Sequence, residues 1–287
     1  SAVEYERDYS KLFPSVNFKY DYSENIVLRA AYTESLSRPS FGDLNPSAAE
    51  IEYDEGELEV AAGNPELDPY EARNFDVSFE YYADSLGMFS LGAFHKQIDN
   101  FVVTADVSSI TDYSMYVGSL AVEEAEVFQP INGDKATLTG AELSWTRGFD
   151  NGFLLRANAT MTDSEADLGL GADAERGNKI NLPSQADLVA NFIVGYERDA
   201  LSLRLSTAYK GERLLEVDLE DEAFDLYEDS HMQMDLSAKY RFENGMQVFF
   251  NAVNLTDEPF YANRRGYNGQ YEEYGPAYVL GVTYSTF

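Results

Sequence analysis

Gly245 to Phe287 reads GMQVFFNAVNLTDEPFYANRRGYNGQYEEYGPAYVLGVTYSTF. An alternating strand rises from the Glu243-Asn244-Gly245 turn, a tyrosine-rich connection follows, and a second alternating strand runs to a terminal phenylalanine. Successive side chains of a strand point to opposite faces, so this alternation gives each strand one apolar and one polar side. The same construction recurs upstream. Leu201, Leu203, Leu205, Thr207 and Tyr209 form one row against Ser202, Arg204, Ser206, Ala208 and Lys210. Val16, Phe18, Tyr20 and Tyr22 oppose Ser15, Asn17, Lys19 and Asp21.

Read this way, the pattern predicts eleven strands, at about 13–22, 25–34, 71–83, 87–104, 135–149, 152–163, 184–197, 200–212, 230–243, 245–256 and 274–287. Most reach the ~9–11 residues that a tilted membrane-spanning strand needs. Their connections alternate in length. Short turns fall at Ser23-Glu24-Asn25, Ala83 to Gly87, Asp150-Asn151-Gly152, Arg198-Asp199 and Glu243-Asn244-Gly245. Long links fall at roughly 35–70, 105–134, 164–183, 213–229 and 257–273. One end of the sheet is therefore trimmed and the other elaborated, as in outer-membrane barrels. Tyr20, Tyr22, Tyr81, Tyr82, Trp145, Phe149, Phe192, Tyr196, Tyr240, Phe242, Tyr284 and Phe287 gather at the short-turn end, which reads as an aromatic girdle at a membrane boundary.

The bulk numbers exclude several classes. The 287 residues contain no cysteine, so there is no disulfide framework and no thiolate metal site. Twenty Lys+Arg against 51 Asp+Glu give a net charge of −31, which argues against nucleic acid as a partner. No apolar run is long enough for a transmembrane helix. A mean hydropathy of −0.37 looks soluble, yet a transmembrane barrel gives the same value because only every second residue faces lipid. Eleven strands connect opposite sides of a sheet, whereas bacterial single-chain barrels have an even count. The expectation is therefore an odd number of further strands upstream.

The residues also resemble a known family. Arg264-Arg265-Gly266-Tyr267, Gln270-Tyr271-Glu272-Glu273-Tyr274-Gly275 and Leu280-Gly281-Val282-Thr283-Tyr284 look like the end of a TonB-dependent outer-membrane receptor. So do Asn254-Leu255-Thr256-Asp257, Ser37-Arg38-Pro39-Ser40-Phe41, Gly63-Asn64-Pro65-Glu66-Leu67-Asp68-Pro69 and Ile98-Asp99-Asn100-Phe101, in order and spacing. The combination is closest to the type abundant in Xanthomonas and Caulobacter relatives. The resemblance implies an all-β antiparallel transmembrane barrel segment, the C-terminal half of a 22-stranded barrel. It implies that residues 1–287 form part of one barrel domain, and that the plug domain with its TonB box lies outside this chain. The implied partners are the first half of the barrel, the plug, the TonB complex acting through the plug, outer-membrane lipids and lipopolysaccharide, and a small extracellular ligand. The implied location is the bacterial outer membrane, with long loops extracellular and the C-terminus periplasmic.

No catalytic constellation is legible, and the expectation is a non-enzyme without a cofactor. His95 and His231 lie on different strands and read as wall residues with a polar neighbour. Nine acids between Asp43 and Asp68, with no Lys or Arg, and nine between Glu212 and Asp229, with Arg213 alone, make the long links acidic. Three readings stand: carboxylates holding calcium, a field steering a cationic or metal-bearing ligand inward, or a merely solvated loop. The loop from Phe260 to Tyr274 is the ligand candidate, through Phe260, Tyr261, Asn263, Arg264, Arg265, Tyr267, Asn268, Gln270 and Tyr271. Flat rings cover apolar faces of a polar ligand while amide and guanidinium donors fix its hydroxyls. The alternative is that the tyrosines pack the loop and the arginines pair with Glu272 and Glu273. The leading function is TonB-energised uptake of a scarce ligand, an oligosaccharide first and an iron–siderophore second. A passive porin or structural barrel is the runner-up, and a soluble lectin-like β-protein the third reading. Relatives commonly end aromatic-x-aromatic, whereas Tyr284 and Phe287 are three apart, so a bulge or an inward Phe287 is expected.

Overall fold

The structure, a computed structural model, describes residues 10–46, 50–54, 56–83, 87–108, 122, 124–170, 176–264 and 267–285, with backbone alone at 54, 124, 267 and 268. In chain order the strands are β1 (Ser15–Ser23), β2 (Ile26–Ser37), β3 (Glu50–Asp54), β4 (Glu57–Ala61), β5 (Tyr70–Ala83), β6 (Gly87–Asp99), β7 (Val102–Asp106), β8 (Glu124–Asn132), β9 (Lys135–Gly148), β10 (Phe153–Asp167), β11 (Lys179–Ile180), β12 (Leu188–Arg198), β13 (Leu201–Lys210), β14 (Arg213–Asp218), β15 (Leu226–Glu228), β16 (His231–Arg241), β17 (Met246–Val253), β18 (Phe260–Arg264), β19 (Tyr267–Glu272) and β20 (Ala277–Tyr284). One short helix, α1 (Phe41–Leu44), follows β2.

Eleven strands form a single antiparallel wall in the order β1-β2-β5-β6-β9-β10-β12-β13-β16-β17-β20, with β11 a side branch on β10. These are the eleven that alternation marks. Their ends move for local reasons. The strand expected at 87–104 breaks after Asp99, because Asn100 adopts a left-handed φ of 58° and Phe101 turns into a core. The strand expected from 184 starts at Leu188, since Pro183 has no N–H to pair and Ser184 sits at φ 63°. Gly275 at φ 69° and Pro276 likewise delay the last strand to Ala277. Residues 84–86 of one predicted turn, and Phe287 with its expected bulge or inward turn, lie outside the described residues.

Register sorts the wall into two faces. Phe18, Ala30, Val77 and Ala93 lie opposite one another on one face, and Lys19, Arg29 and Ser78 on the other. The apolar face carries large exposed side chains along its length, among them Phe18, Val77, Leu91, Leu143, Met161, Phe192, Leu205, Leu280 and Tyr284. An exposed apolar sheet face of this extent is the face a barrel turns to lipid. The polar face is cross-linked: Arg29 to Glu80 at 2.7 Å, Asn191 to Asn158 at 3.0 Å, and Ser237 to Asn251 at 2.8 Å. Among the described residues, the outer edges of β1 and β20 have no strand partner.

Four of the five long connections, at 35–70, 105–134, 213–229 and 257–273, carry strands of their own in their described residues, and these build a second, eight-stranded sheet in the order β19-β18-β15-β14-β7-β8-β4-β3. β7 and β8 extend the β6–β9 hairpin past the bend at Asn100 and Gly133. The main buried core lies here, outside the wall: Leu58, Val60, Phe101, Val103, Val127, Leu214 and Val217 pack with Ala136, Ala166 and Ile180 at the upper ends of β9, β10 and β11. Ala136 and Ala166 share the face of Glu142 and Asn158, so the second sheet leans over the inner, polar side of the wall's upper rim.

Candidate functional site

The predicted ligand residues form a hairpin, β18–β19, at the edge of the second sheet. β18 pairs with β15 through Tyr227 opposite Asn263 and Glu228 opposite Ala262. Gly269 permits the close crossing, since a β-carbon there would press on Leu226 and the Ala262 carbonyl. Alternation then divides the candidates. Tyr261, Asn263 and Tyr271 share the face of Tyr227, which packs on the core, and the Tyr261 and Tyr271 rings meet edge-to-face at 6.0 Å. Phe260, Arg264 and Gln270 lie on the opposite face. Tyr267 and Asn268 are placed in β19 by their backbone, and Arg265 lies outside the described residues.

Arg264 does not pair with Glu272 or Glu273, the alternative that the sequence suggested. Its guanidinium donates to the Phe224 carbonyl at 3.2 Å, stands 3.6 Å from Glu216 and lies over the Phe128 ring at 5.6 Å. Glu272 and Glu273 instead accept from hydroxyls and an amide of their own strand end: Tyr274 and Gln270 to Glu272, and Tyr271 to Glu273 at 2.7 Å. The hydrogen bond to Glu273 holds the exposed Tyr271 hydroxyl above its ordinary pKa.

The face carrying Arg264 is strongly acidic. Glu52 lies opposite Glu59, and Glu59 opposite Glu126. Like charges directly opposite are destabilising. Glu216 shows the effect: burial raises its pKa, Arg264 pulls it down, and repulsion from Glu59 pushes it up again. Many of the remaining acids are engaged in structure. Asp43 completes a capping box with Ser40 on α1, and Asp218 accepts from the Glu220 and Asp221 amides at 2.8 Å. Asp225 is buried with Arg176 in a two-pronged pair at 2.7 and 3.2 Å. Buried Glu228 takes Lys210 and Arg213, and those bonds outweigh its burial and hold its pKa below the usual value. Among the described residues no group of three or more side chains converges as a metal site requires. His95 Nδ1 meets Thr139 at 2.8 Å and His231 Nδ1 meets the Pro259 carbonyl at 3.3 Å, each beside a polar neighbour as expected.

Glu59 and Glu216 were counted among the acids of the long links, while Phe128, Phe224 and Tyr227, and the short strands of the second sheet, were not among the candidates. Their signal was present, because Glu57-Leu58-Glu59-Val60 and Val103-Thr104-Ala105-Asp106 alternate as strands do. The family landmarks acquire reasons too. Buried Asn254, at φ 55°, donates to the Glu258 and Gly275 carbonyls at 3.1 and 3.5 Å and accepts from the Glu258 amide at 2.9 Å. One amide thus ties the step after β17 to the start of β20.

The profile of the TonB dependent receptor-like, beta-barrel family matches residues 2–255. The chain belongs to that family. Vitamin B12 transporter BtuB of Photobacterium profundum is 25% identical over 213 residues, covering 74% of this chain and 30% of that protein. Among solved structures, a mutant of the ferric enterobactin receptor PfeA of Pseudomonas aeruginosa shares the fold with a TM-score of 0.63 at 19% identity, over 96% of this chain and 40% of the receptor. The siderophore receptor PirA of Acinetobacter baumannii gives 0.63 at 16% identity, over 96% and 41%. This TonB-dependent receptor-like barrel chain therefore spans well under half the length of these relatives. The family is one of outer-membrane barrels, which agrees with the apolar outward face and leaves no place for a soluble lectin.

Proposed function

We propose that residues 1–287 are the C-terminal part of the barrel of an outer-membrane transporter that takes up a scarce ligand with energy delivered through TonB. Family membership over residues 2–255 carries the reading. The unpartnered edges of β1 and β20 support it, because an open sheet edge is costly in lipid. In the natural protein those edges meet the first half of the barrel, the inner polar face meets a plug, and the plug meets the TonB complex. The long connections face outside and the C-terminus faces the periplasm.

The ligand is neutral or cationic, since an acidic sheet face over the rim repels polyanions. A neutral oligosaccharide suits the Tyr261–Tyr271 ring pair, with Asn263 as the donor on the same face of the hairpin. A metal-bearing chelate is the second reading, favoured by the relatives named for vitamin B12 and siderophores. The test is growth of cells with and without the gene on candidate glycans and under iron limitation. TonB-coupled uptake stops when the proton gradient collapses; uptake that persists means a passive porin. With barrel levels unchanged, Tyr271→Ala and Asn263→Ala lower uptake about tenfold, the loss of roughly 1.4 kcal/mol of ligand contact. Unaltered uptake in both variants removes the hairpin from the site.

A further inference from the structure

We propose that the outward face of the wall holds a fixed groove for one acyl chain of an outer-leaflet glycolipid, over β2, β5 and β6. The inference rests on the outer-membrane reading above, with the long connections outside. A cavity of about 600 Å³ opens on this face. Its floor and sides come from one cross-strand row, Phe18, Ala30, Val77 and Ala93, in which Ala30 lies between Phe18 and Val77, and Ala93 has Val77 on one side and Ala141 on the other. Phe18 and Val77 stand 62% and 57% exposed, so the depression between them is open to the surroundings. Tyr32 and Phe75, in the row above, close one side with ring centroids 4.8 Å apart.

Polarity along the groove matches an acyl ester. Nearly all the lining is apolar until His95 and Thr139, joined at 2.8 Å, form a polar rim at the end nearest the long connections. One row further, the outward residues are Glu34, Arg73, Gln97 and Thr137, all polar. That row marks the headgroup level, so a chain entering there places its carbonyl beside the rim and its methylenes over Ala30 and Ala93. Lys11 and Arg73 stand above the rim, but Glu71 and Asp99 balance them. Recognition therefore lies in the acyl contact and not in phosphate. The leaflet beside the long connections is the outer one, whose acyl chains belong to lipopolysaccharide.

The test uses the full-length natural protein, extracted in mild detergent and weighed with its retained lipids by native mass spectrometry. Wild type retains one lipopolysaccharide, and purified lipopolysaccharide titrated onto delipidated protein restores it. Ala93→Leu and Ala30→Leu fill the groove from the lipid side without a core clash, and each lowers retention and rebinding at least tenfold. Equal retention by wild type and both filled variants overturns the groove, and a retained glycerophospholipid overturns its occupant. A nitroxide at Leu205, outside the groove, separates this from the wider reading. Oxygen accessibility there with no retained lipid removes the groove and leaves the membrane face standing, whereas water accessibility overturns the membrane face itself.

Discussion

Gly281 shows how little room one residue has in this wall. The Phe249 ring, opposite on β17, lies across the position a β-carbon would take, and Phe94 covers Gly140 in the same way. A ring laid over a cross-strand glycine fills its missing side chain and pins the register. Gly281→Ala is expected to cost about 1–3 kcal/mol through overpacking, read as a lower urea midpoint of the full protein in micelles. Adding Phe249→Leu to that variant restores most of the loss. Glu216 and Glu228 make a second pair of predictions with opposite signs. Lysine and arginine bonds hold Glu228 below its ordinary 4.5, so its contribution is complete above that value and is lost as pH falls through the lower folded value. The protection of the 213–228 peptides against hydrogen exchange, taken relative to the intrinsic rate at each pH, therefore falls on acidification below 4.5, and Glu228→Gln removes that step while lowering protection at neutral pH. Glu216 is held above 4.5, so its penalty is absent in acid, builds as pH rises from 4.5 towards its folded value and is complete above it. Glu216→Gln is expected to slow exchange at pH 7 and to change nothing well below 4.5.

Among the elements, the clamp between two long connections matters most. Arg176 and Asp225 are 2% and 3% exposed, forty-nine residues apart, and they join the 164–183 connection to the 213–229 connection. Arg176 also donates to the Asp218 carbonyl, and Asp225 accepts from the Asp218 amide at 3.0 Å. Removing one partner strands a buried charge, at a cost of roughly 3–5 kcal/mol, whereas an apolar pair of similar volume can be nearly neutral. Limited proteolysis checks this. Asp225→Ala should open the 213–229 connection to cleavage, and Arg176→Met with Asp225→Leu should close it again. Equal protection in the single variant would show that the clamp holds nothing. The core around Leu58, Val103 and Val217 explains why such a clamp is useful, since it lets the outer sheet behave as a packed unit instead of separate loops.

On the scale of the whole molecule, charge is the organising feature. The acids cluster in the connections at one end, where Glu52, Glu59 and Glu126 face one another without a lysine between them. Such a field raises the encounter rate of cations and fades with salt. The association rate of a cationic probe with the full protein is therefore expected to fall severalfold between about 10 mM and 150 mM ionic strength, and stopped-flow measurement checks it. A neutral probe of equal size should show no such fall.

The sequence alone determined the wall. Alternation is written residue by residue, and lipid on one side demands it, so eleven strands, their faces and their sorted turns were legible from Val16 to Tyr284. The landmark Asn254-Leu255-Thr256-Asp257 was legible as a pattern but not as a mechanism, because its meaning is a long-range amide bridge to Gly275. The second sheet escaped for a related reason. Its strands are short, mostly three to nine residues, and acids on their outer face make them read as solvated loops. Their pairings join segments far apart in the chain, such as Leu58 with Ala125 and Val217 with Ala105, in parallel registers that local periodicity does not encode. The tertiary structure alone decided that the candidate hairpin has two faces and that Arg264 answers to Glu216. A side chain's partner depends on which distant backbone comes within hydrogen-bonding reach, and that distance exists only after folding.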